Sequence, residues 1–297
     1  MQRGRIRKKG AAIQLIVNAD DFGASEQVNE AIIRSFKEGV LTSCSLMVAG
    51  EAFEQAIELA KQHPQLAVGI HLVVISGRSV LAPSQIPTLV DGRGRFSNKP
   101  VAAGMRYYFF PQARQDLEKE LKAQFEKFQT AGLDCSHIDG HWHFHIHPIV
   151  FDLAVRIGKH YGVRQMRVPE DDLDLALRFE PRHSLQKRAH AMVFHALCRR
   201  MRHRLTAEDF VCTDRVFGFF ETGRMNTAYF LWVLEHLRTE TNEIYFHPAC
   251  PRRDLRQPTL RDQSLAEYEA LVDKRVIQRV RQLGIRLTTY RALRIQA

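Results

Sequence analysis

Near the start of the chain runs Gln14-Leu15-Ile16-Val17-Asn18-Ala19-Asp20-Asp21-Phe22-Gly23, an apolar stretch that ends in two adjacent carboxylates and a glycine. Its length suits a buried strand, and the glycine lets the backbone turn after the strand ends. The alternative is an ordinary turn with two solvated aspartates. The stretch predicts a strand that displays functional carboxylates at its end.

The segments after this strand alternate between helix and strand patterns. Ser25 is a candidate N-cap for a helix that ends at Gly39, and strands are predicted at 43–48 and 66–72 with a helix at 51–62 between them. Alternation of this kind is typical of parallel strands joined by right-handed crossovers. At 297 residues the chain has the length of one α/β barrel, so we predict the α/β class.

The rest of the chain continues this pattern with one long interruption. Residues 73–111 are rich in Gly, Pro, Ser and Asn and predict a long loop over the site face. Helices are then predicted before Gly132, after Pro148, at 182–205, at 226–238 and at 265–283, and strands at 136–138, 163–168 and 243–246, with β-rich sequence at 210–220.

The positive charge of the chain is local. Of the net charge of +10, the N-terminal arm supplies five Lys/Arg and residues 182–205 supply seven, with no acid in either segment. Because these twelve positive charges exceed the net charge of +10, the remaining residues carry a net charge of minus two. We predict a basic arm over residues 1–12 and a single domain over 13–297, and we expect an anionic surface as partner.

Residues 182–205 predict a basic amphipathic helical insertion. One apolar stripe at helical spacing consists of Leu185, Ala189, Met192, Val193, Ala196, Leu197 and Met201. Two interpretations stay open: the stripe packs on the barrel, or it contacts an anionic membrane. No nucleic-acid partner is predicted, because Phe194 is the only aromatic residue interleaved with the charges and no nucleic-acid-binding motif occurs.

Cysteine usage and hydropathy predict a cytoplasmic protein. The five cysteines are scattered, with no CxxC pair, as expected for reduced thiols. No apolar run is long enough to span a bilayer, so membrane contact would be peripheral, on the inner face of the cytoplasmic membrane. A homodimer is left open.

Several predicted strands end in groups that bind metals or transfer protons: Asp20 and Asp21, His71, the His-rich turn from Asp139, and His247. Carboxyl ends of parallel strands meet on one face, so these groups are expected to converge. One carboxylate with two imidazoles would hold a divalent ion, the second carboxylate would act as base, and His247 as acid. A non-haem iron oxygenase is the alternative, although its carboxylate commonly lies two residues from a His ligand.

Four motifs together resemble the YdjC-like carbohydrate deacetylases: 18–23, 69–72, 137–145 and 243–248. The resemblance implies a variant (β/α) barrel, TIM-like but incomplete or distorted, that removes N-acetyl groups from amino sugars. It further implies metal ligands at Asp21, His71 and His141, with Asp20 as base and His247 as acid. A transposed assignment of the two aspartates stays open.

The resemblance also implies roles for the neighbours of these residues. His143 and His145 are expected to contact substrate or support the ligands, and Arg167 to bind substrate or orient a carboxylate. One divalent ion, magnesium or zinc, is implied as cofactor. Gly140 stands where the family usually has a small hydroxyl residue, which puts one supporting hydrogen bond in doubt.

A narrower resemblance lies in residues 73–83 and 217–225, which look like the hopanoid-biosynthesis-associated (HpnK-type) branch of the family. Thr222 departs mildly from that branch, which more often has serine there. The branch implies a lipid-linked substrate, N-acetylglucosaminyl hopanoid, deacetylated to the free glucosamine lipid. A chitooligosaccharide such as chitobiose is the alternative substrate.

Overall fold

The computed structural model describes residues 12–250 and 261–293. The predicted basic arm, apart from Ala12, lies outside the described residues. Within them the predicted parallel sheet is confirmed. Its strands are β1 Gln14–Phe22, β2 Ser43–Leu46, β3 Ala67–Leu72, β4 Ile138–Gly140, β5 Arg215–Phe217, β6 Thr241–Phe246 and β7 Arg286–Leu287.

Helices follow most of these strands. They are α1 Glu26–Glu38, α2 Phe53–Gln62, α3 Pro100–Phe109, α4 Pro111–Thr130, α5 Pro148–His160, α6 Leu173–Phe179, α7 Ser184–Ala207, α8 Thr227–His236, α9 Arg261–Val272 and α10 Lys274–Gln282. Short 3-10 helices span His141–Ile146 and Tyr290–Ala292. The Ser25 side chain accepts a hydrogen bond from the Val28 amide, which confirms the predicted cap of α1.

The strand order is β4-β3-β2-β1-β6-β5, with every pairing parallel and β7 added to the start of β1. Strand β1 is central because its residues Asn18 and Ala19 pair with β2 on one side and with β6 on the other. Apolar side chains of β1 such as Leu15 and Val17 are fully buried. The carboxyl ends of β1, β3, β4 and β6 therefore lie on one face.

The sheet continues beyond β4 through single residue pairs. Met166 bridges to Ile138 and Gln165 bridges to Val211, so the strands curl toward β5 without a full ladder. The predicted strand at 163–168 is thereby reduced to isolated bridges, since Pro169 has no backbone N–H with which to extend the pairing. The predicted fold, an incomplete and distorted α/β barrel, is confirmed.

Two other element predictions need correction. The long segment 73–111 contains helix α3, which begins at Pro100 in the position where proline favours helix initiation. The predicted last helix is two helices, because Asp273 between them leaves the helical conformation and its side chain caps α10 at the Arg275 amide.

Helix α7 exists as predicted, but it packs through a different face. Its buried side comprises Lys187, Cys198, Met201 and Leu205. Of the predicted stripe, Met201 is buried and Leu197 is partly buried, whereas Leu185, Ala189, Met192, Val193 and Ala196 are exposed. The stripe is therefore mainly a surface stripe. Among the described residues, no helix is long and apolar enough to cross a membrane.

Candidate metal centre and active site

The three predicted metal ligands meet at the carboxyl edge of the sheet. Asp21 at the end of β1 has a left-handed backbone, φ 66°, and its Oδ1 lies 3.0 Å from His141 Nδ1 and 3.3 Å from His71 Nε2. One ligand atom from each residue falls within 4.8 Å of the others. The Asp21 side chain keeps 22% exposure, so the centre opens to the surface.

His71 is held so that one ring nitrogen faces this centre. Its Nδ1 lies 2.8 Å from Asp139 Oδ1, which leaves Nε2 to point toward Asp21. That Nε2 atom is buried and has no hydrogen-bond partner among the described residues. A buried imidazole nitrogen without a partner, oriented by a carboxylate on the other nitrogen, is the usual arrangement of a histidine metal ligand. The residues therefore fit a divalent ion.

The charges at this centre interact strongly. Burial raises the pKa of Asp21, but the adjacent imidazoles of His141 and His71 outweigh burial and hold the pKa well below its usual value. Burial lowers the pKa of His71, whereas Asp139 and Asp21 raise it, with a net value of about 10. A divalent ion at this site would have to displace the His71 proton, which makes metal binding weaker at low pH.

Asp20 is bound by Arg167, and one of its carboxylate oxygens also lies within 4.8 Å of a ring nitrogen of His71. Its Oδ2 accepts from Arg167 Nη1 at 2.7 Å, and its Oδ1 accepts from Arg167 Nη2 and from Asn18 Nδ2, both at 2.8 Å. The side chains of successive strand residues diverge. This geometry fits the predicted division, in which Asp21 is a ligand and Asp20 acts beside the site.

Arg167 is buried among carboxylates. Its guanidinium donates to Glu243 at 2.7 Å and lies 3.0 Å from Asp139 Oδ2, in addition to its bidentate contact with Asp20. It also lies 4.8 Å from the centre of the Tyr245 ring. With no exposed surface, Arg167 is placed to orient Asp20 and Asp139, and this favours the second of its two predicted roles.

His247 follows β6 and faces Asp20 across the site. Its Nε2 lies 3.9 Å from Asp20 Oδ2, and its Nδ1 lies 4.0 Å from Glu267 Oε2 on α9. The backbone amide of His247 also donates to Glu267, and burial raises the pKa of that glutamate. The His247 side chain is 30% exposed, which lets it reach a substrate.

His143 and His145 lie beneath the surface of the site. His143 Nε2 is 2.9 Å from the Tyr245 hydroxyl, and His145 Nε2 is 3.1 Å from the Arg167 carbonyl oxygen. Burial lowers the pKa of His145 to about 4 and lowers that of His143 further below its usual value. Both are therefore neutral imidazoles at neutral pH, placed to support their neighbours; substrate contact by them stays a prediction.

The turn that carries His141 has a strained backbone. Trp142 and His143 have φ of 54° and 53°, left-handed values that non-glycine residues rarely adopt. Such strain is kept at sites where it positions functional groups. At Gly140, before the turn, an added Cβ would come within 3.1 to 3.2 Å of Leu72 and His145, so a serine would fit only with a small shift.

Sequence reasoning left three acidic partners without a role. Asp139 orients His71, Glu243 pairs with Arg167, and Glu267 supports His247. Asp139 and Glu243 carried a signal, since each is a charged residue inside or at the end of an otherwise buried strand. Glu267 lies on a helix far along the chain, and its proximity to His247 depends on tertiary packing alone.

Residues 14–282, nearly the whole described chain, match the sequence model of the YdjC-like protein family. The chain belongs to the YdjC-like family. A carbohydrate deacetylase of Thermoanaerobacter pseudethanolicus is 27% identical to this YdjC-like protein over 94% of this chain and 99% of that protein.

More similar relatives match over a shorter stretch. A carbohydrate deacetylase of Brevibacillus brevis is 43% identical over 51% of this chain and 58% of that protein. One of Geobacillus stearothermophilus is 44% identical over 49% of this chain and 56% of that protein. The match thus spans a little more than half the length of these curated relatives.

A solved structure shares the fold of this YdjC-like protein. It is an Enterococcus faecalis protein whose description refers to cellobiose-phosphate cleavage, and it aligns with a TM-score of 0.70 over 96% of this chain and 100% of that chain. The sequences are 24% identical, so this likeness supports the variant barrel and nothing finer.

Proposed function

We propose that this YdjC-like protein is a metal-dependent hydrolase that removes the N-acetyl group from an amino sugar. The observation that carries the proposal is the pairing of an acid and a base beside a three-residue metal centre. Asp21, His71 and His141 form the centre, and Asp20 faces His247 at 3.9 Å next to it. The deacetylase names of the relatives support the same reaction.

The proposed chemistry assigns one task to each group. Asp21, His71 and His141 would hold the ion, which when bound supplies a Lewis acid for the acetyl oxygen and for water. Asp20, held in place by Arg167, accepts the proton of the attacking water. His247 donates a proton to the departing amine as the C–N bond breaks. The products are acetate and the free amino sugar.

An iron oxygenase, the alternative from the ligand types, has less support. Asp21 and His71 come from different strands, and the neighbouring carboxylate Asp20 is held in the site by Arg167. An oxygenase needs open positions for oxygen but no such acid and base pair. Between hydrolytic ions, two imidazoles favour zinc over magnesium, which prefers oxygen ligands.

For the substrate, we propose the lipid-linked amino sugar that the narrower resemblance implies, N-acetylglucosaminyl hopanoid. The segment that carries this resemblance lies beside the site: the Thr222 hydroxyl is 3.0 Å from that of Tyr245, which contacts His143. Glu221 of the same segment pairs with Lys187 on the basic helix α7. The segment is therefore placed to shape what binds next to the metal centre.

A chitooligosaccharide is the second candidate substrate. A cleft of about 770 Å³ begins at Ala24 and Met47 and continues past Arg78 and Asn98, with room for a further sugar ring. None of the candidate metal ligands lines it, although Ala24 lies three residues after Asp21. Polar side chains such as Arg78 and Asn98 line it together with apolar ones, and those polar groups support a carbohydrate.

Incubation with N-acetylglucosaminyl hopanoid and, separately, with chitobiose tests both proposals. Mass spectrometry would detect the loss of one acetyl group. Loss from the hopanoid with little from chitobiose supports the lipid-linked substrate, and the reverse supports the oligosaccharide. Loss from neither, in protein that retains its metal, would contradict the deacetylase assignment for these amino sugars.

A further inference from the structure

Exposed apolar side chains concentrate on one part of the described surface. Ten large hydrophobic side chains are exposed in the described residues, and nine of them lie on α3 and the next residue, at Trp142, or on the first half of α7. Phe109 is 67% exposed and Leu185 is 83% exposed. The nine are Val101, Met105, Tyr108, Phe109, Phe110, Trp142, Leu185, Met192 and Val193. Single exposed residues are ordinary, but such clustering marks an interaction surface.

Helix α3 borders the turn that carries His141. The Tyr107 ring packs edge-on against Phe144 of that turn at 6.0 Å between centroids, and His147 Nε2 lies 3.1 Å from the Gly104 carbonyl oxygen. Trp142 belongs to the same turn and directly follows the metal ligand His141. Helix α3 therefore packs on the turn that carries one of the proposed metal ligands.

Helix α7 borders the same turn. Its Phe194 packs on Phe219 at 4.1 Å between ring centroids, and Phe219 lies 6.0 Å from the His143 ring. The packing face of α7 is thus turned toward the site, and its opposite face is the exposed stripe that begins at Leu185. Both helices therefore border the turn that carries Trp142, and we call their exposed apolar side chains, together with Trp142, the apolar rim.

The spacing on both helices gives continuous faces. On α3, Val101, Met105 and Tyr108 stand at i, i+4 and i+7. On α7 the exposed face runs through Leu185, Ala189, Met192 and Ala196 and continues into Arg199 and His203 at the same spacing. Each helix therefore presents an apolar face to solvent in addition to the apolar face through which it packs.

The charge around the apolar rim is positive. Helix α7 contains six Lys/Arg and no acid, and residues 99–115 contain three Lys/Arg and no acid. Some of these charges are paired, for example Arg200 with Asp152 and Arg202 with Glu170. Arg188 and Arg199 are exposed and form no ion pair with the residues that the structure describes. Apolar side chains flanked by unpaired arginines complement an anionic lipid surface.

We propose that the apolar rim docks on an anionic bilayer and thereby places the opening of the metal centre against the headgroup layer. The apolar side chains of α3, Trp142 and α7 enter the interface, and Arg188 and Arg199 contact lipid phosphates. The protein lies on the membrane without crossing it. Docking on the bilayer does not depend on which substrate the site binds, because vesicle binding is measured without turnover.

Vesicle cosedimentation of the full chain tests this surface. The wild type should bind vesicles of phosphatidylglycerol and phosphatidylcholine in equal parts, and should bind pure phosphatidylcholine vesicles much less. The M105S/F109S double variant should lose at least tenfold in partitioning, since two large apolar side chains leave the interface. The matched control is Leu283→Ser, the tenth exposed apolar residue, which lies beyond α10 and should keep wild-type binding.

The charge contribution is tested with R188Q/R199Q. We expect a loss of roughly 25-fold at low salt, because each arginine near an anionic surface contributes about fivefold in partitioning. The control R281Q/R286Q removes the same charge from exposed positions on α10 and β7 and should partition like the wild type. An equal loss of vesicle binding in R188Q/R199Q and R281Q/R286Q would show that binding depends only on net charge, and this would overturn the proposal.

A second copy of the chain is the competing occupant. In that case sedimentation velocity would show a wild-type dimer and a monomeric M105S/F109S variant, and neither would bind vesicles. This result would contradict membrane docking. A wild type that binds anionic vesicles, with loss in the rim variants and retained acetate release from a water-soluble substrate, supports it.

Discussion

Asp20 and His71 have different tasks in the proposed mechanism, and single substitutions separate them. Asp20→Asn should keep the bound metal and lose about 10² to 10⁴ in kcat, because the proton acceptor is removed while the three ligands remain. His71→Ala should lose the metal itself. Metal content by elemental analysis and acetate release should be measured together on both variants. A fully active Asp20→Asn protein would exclude Asp20 as the base, and loss of metal in that variant would point to the transposed assignment.

Asp139 acts on the metal centre through His71. Asp139→Asn should weaken metal affinity about 10- to 100-fold, because a neutral amide accepts the hydrogen bond from His71 Nδ1 less strongly than the carboxylate does. Titration with zinc, monitored by calorimetry, measures the change. The control is Asp134→Asn, which changes an exposed aspartate five residues before Asp139 and should bind zinc like the wild type. Unchanged affinity in Asp139→Asn would remove Asp139 from the supporting set.

Asp171 makes stability depend on pH. Burial raises its pKa to about 6, although the amides of Phe220 and Gly218 donate to it and lower the pKa. Since the folded pKa lies above the unfolded value of about 3.9, the stabilisation by the protonated form is complete below about pH 4 and is lost as pH rises through about 6. In Asp171→Asn this loss should be absent.

The measurement for Asp171 is the free energy of unfolding in urea from pH 4 to pH 7. The free energy of unfolding of Asp171→Asn, relative to that of the wild type, should increase as pH rises. The exposed neighbour Asp174, changed to asparagine, serves as control and should show no such shift. A difference that stays constant with pH for Asp171→Asn would contradict the pKa assignment.

How far the site was predictable differs from residue to residue. The convergence of Asp20, Asp21, His71, His247 and the His-rich turn was predictable because each lies at the carboxyl end of a strand, and parallel strands bring those ends together. The choice of His141 within that turn came from the family resemblance. The contacts that orient these groups depend on which side chains meet in the core, and strand spacing does not report that. Glu267, for example, reaches His247 from a helix 20 residues further on, across a tertiary contact.

At the level of elements, the close packing of β3 on β4 depends on Gly69. A Cβ there would lie 2.4 Å from the His137 ring, which is fully buried and stacks on Tyr290 at 4.5 Å between ring centroids. Gly69→Ala should therefore destabilise the fold by about 1 to 3 kcal/mol, as overpacked cores do. Calorimetric melting would show a lower Tm. Gly92→Ala, where no atom lies within 4 Å of the added Cβ, should change little; equal Tm values for the two variants would contradict the packing argument.

Helix α7 shows why the sequence left open which face of a helix packs on the barrel. Its sequence contains two stripes at helical spacing, one through Leu185 and Met192 and one through Phe194, Cys198 and Leu205. Periodicity identifies stripes but cannot rank them when both are apolar. The second stripe packs on the barrel because Phe194 meets Phe219, and the first is left on the surface.

The molecule as a whole follows from its alternating pattern, with one exception. Alternation of helix and strand predicted the parallel strands, and the pairing of β1 with β2 and β6 shows that β1 is central. The way in which the sheet closes was not predictable, because Gln165, Met166 and Val211 contribute single bridges that leave no periodic signal. The metal centre draws on β1, β3 and the turn after β4, so it depends on the whole of that half of the barrel.

The central claim is that the centre of Asp21, His71 and His141 holds a divalent ion that deacetylation requires. The most direct test is acetate release from an N-acetylglucosamine conjugate by the full chain before chelation, after chelation, and after zinc or magnesium is added back. We predict that chelation abolishes release and that at least one ion restores it, with no restoration in His71→Ala. Undiminished release by protein shown to be metal-free would contradict the account.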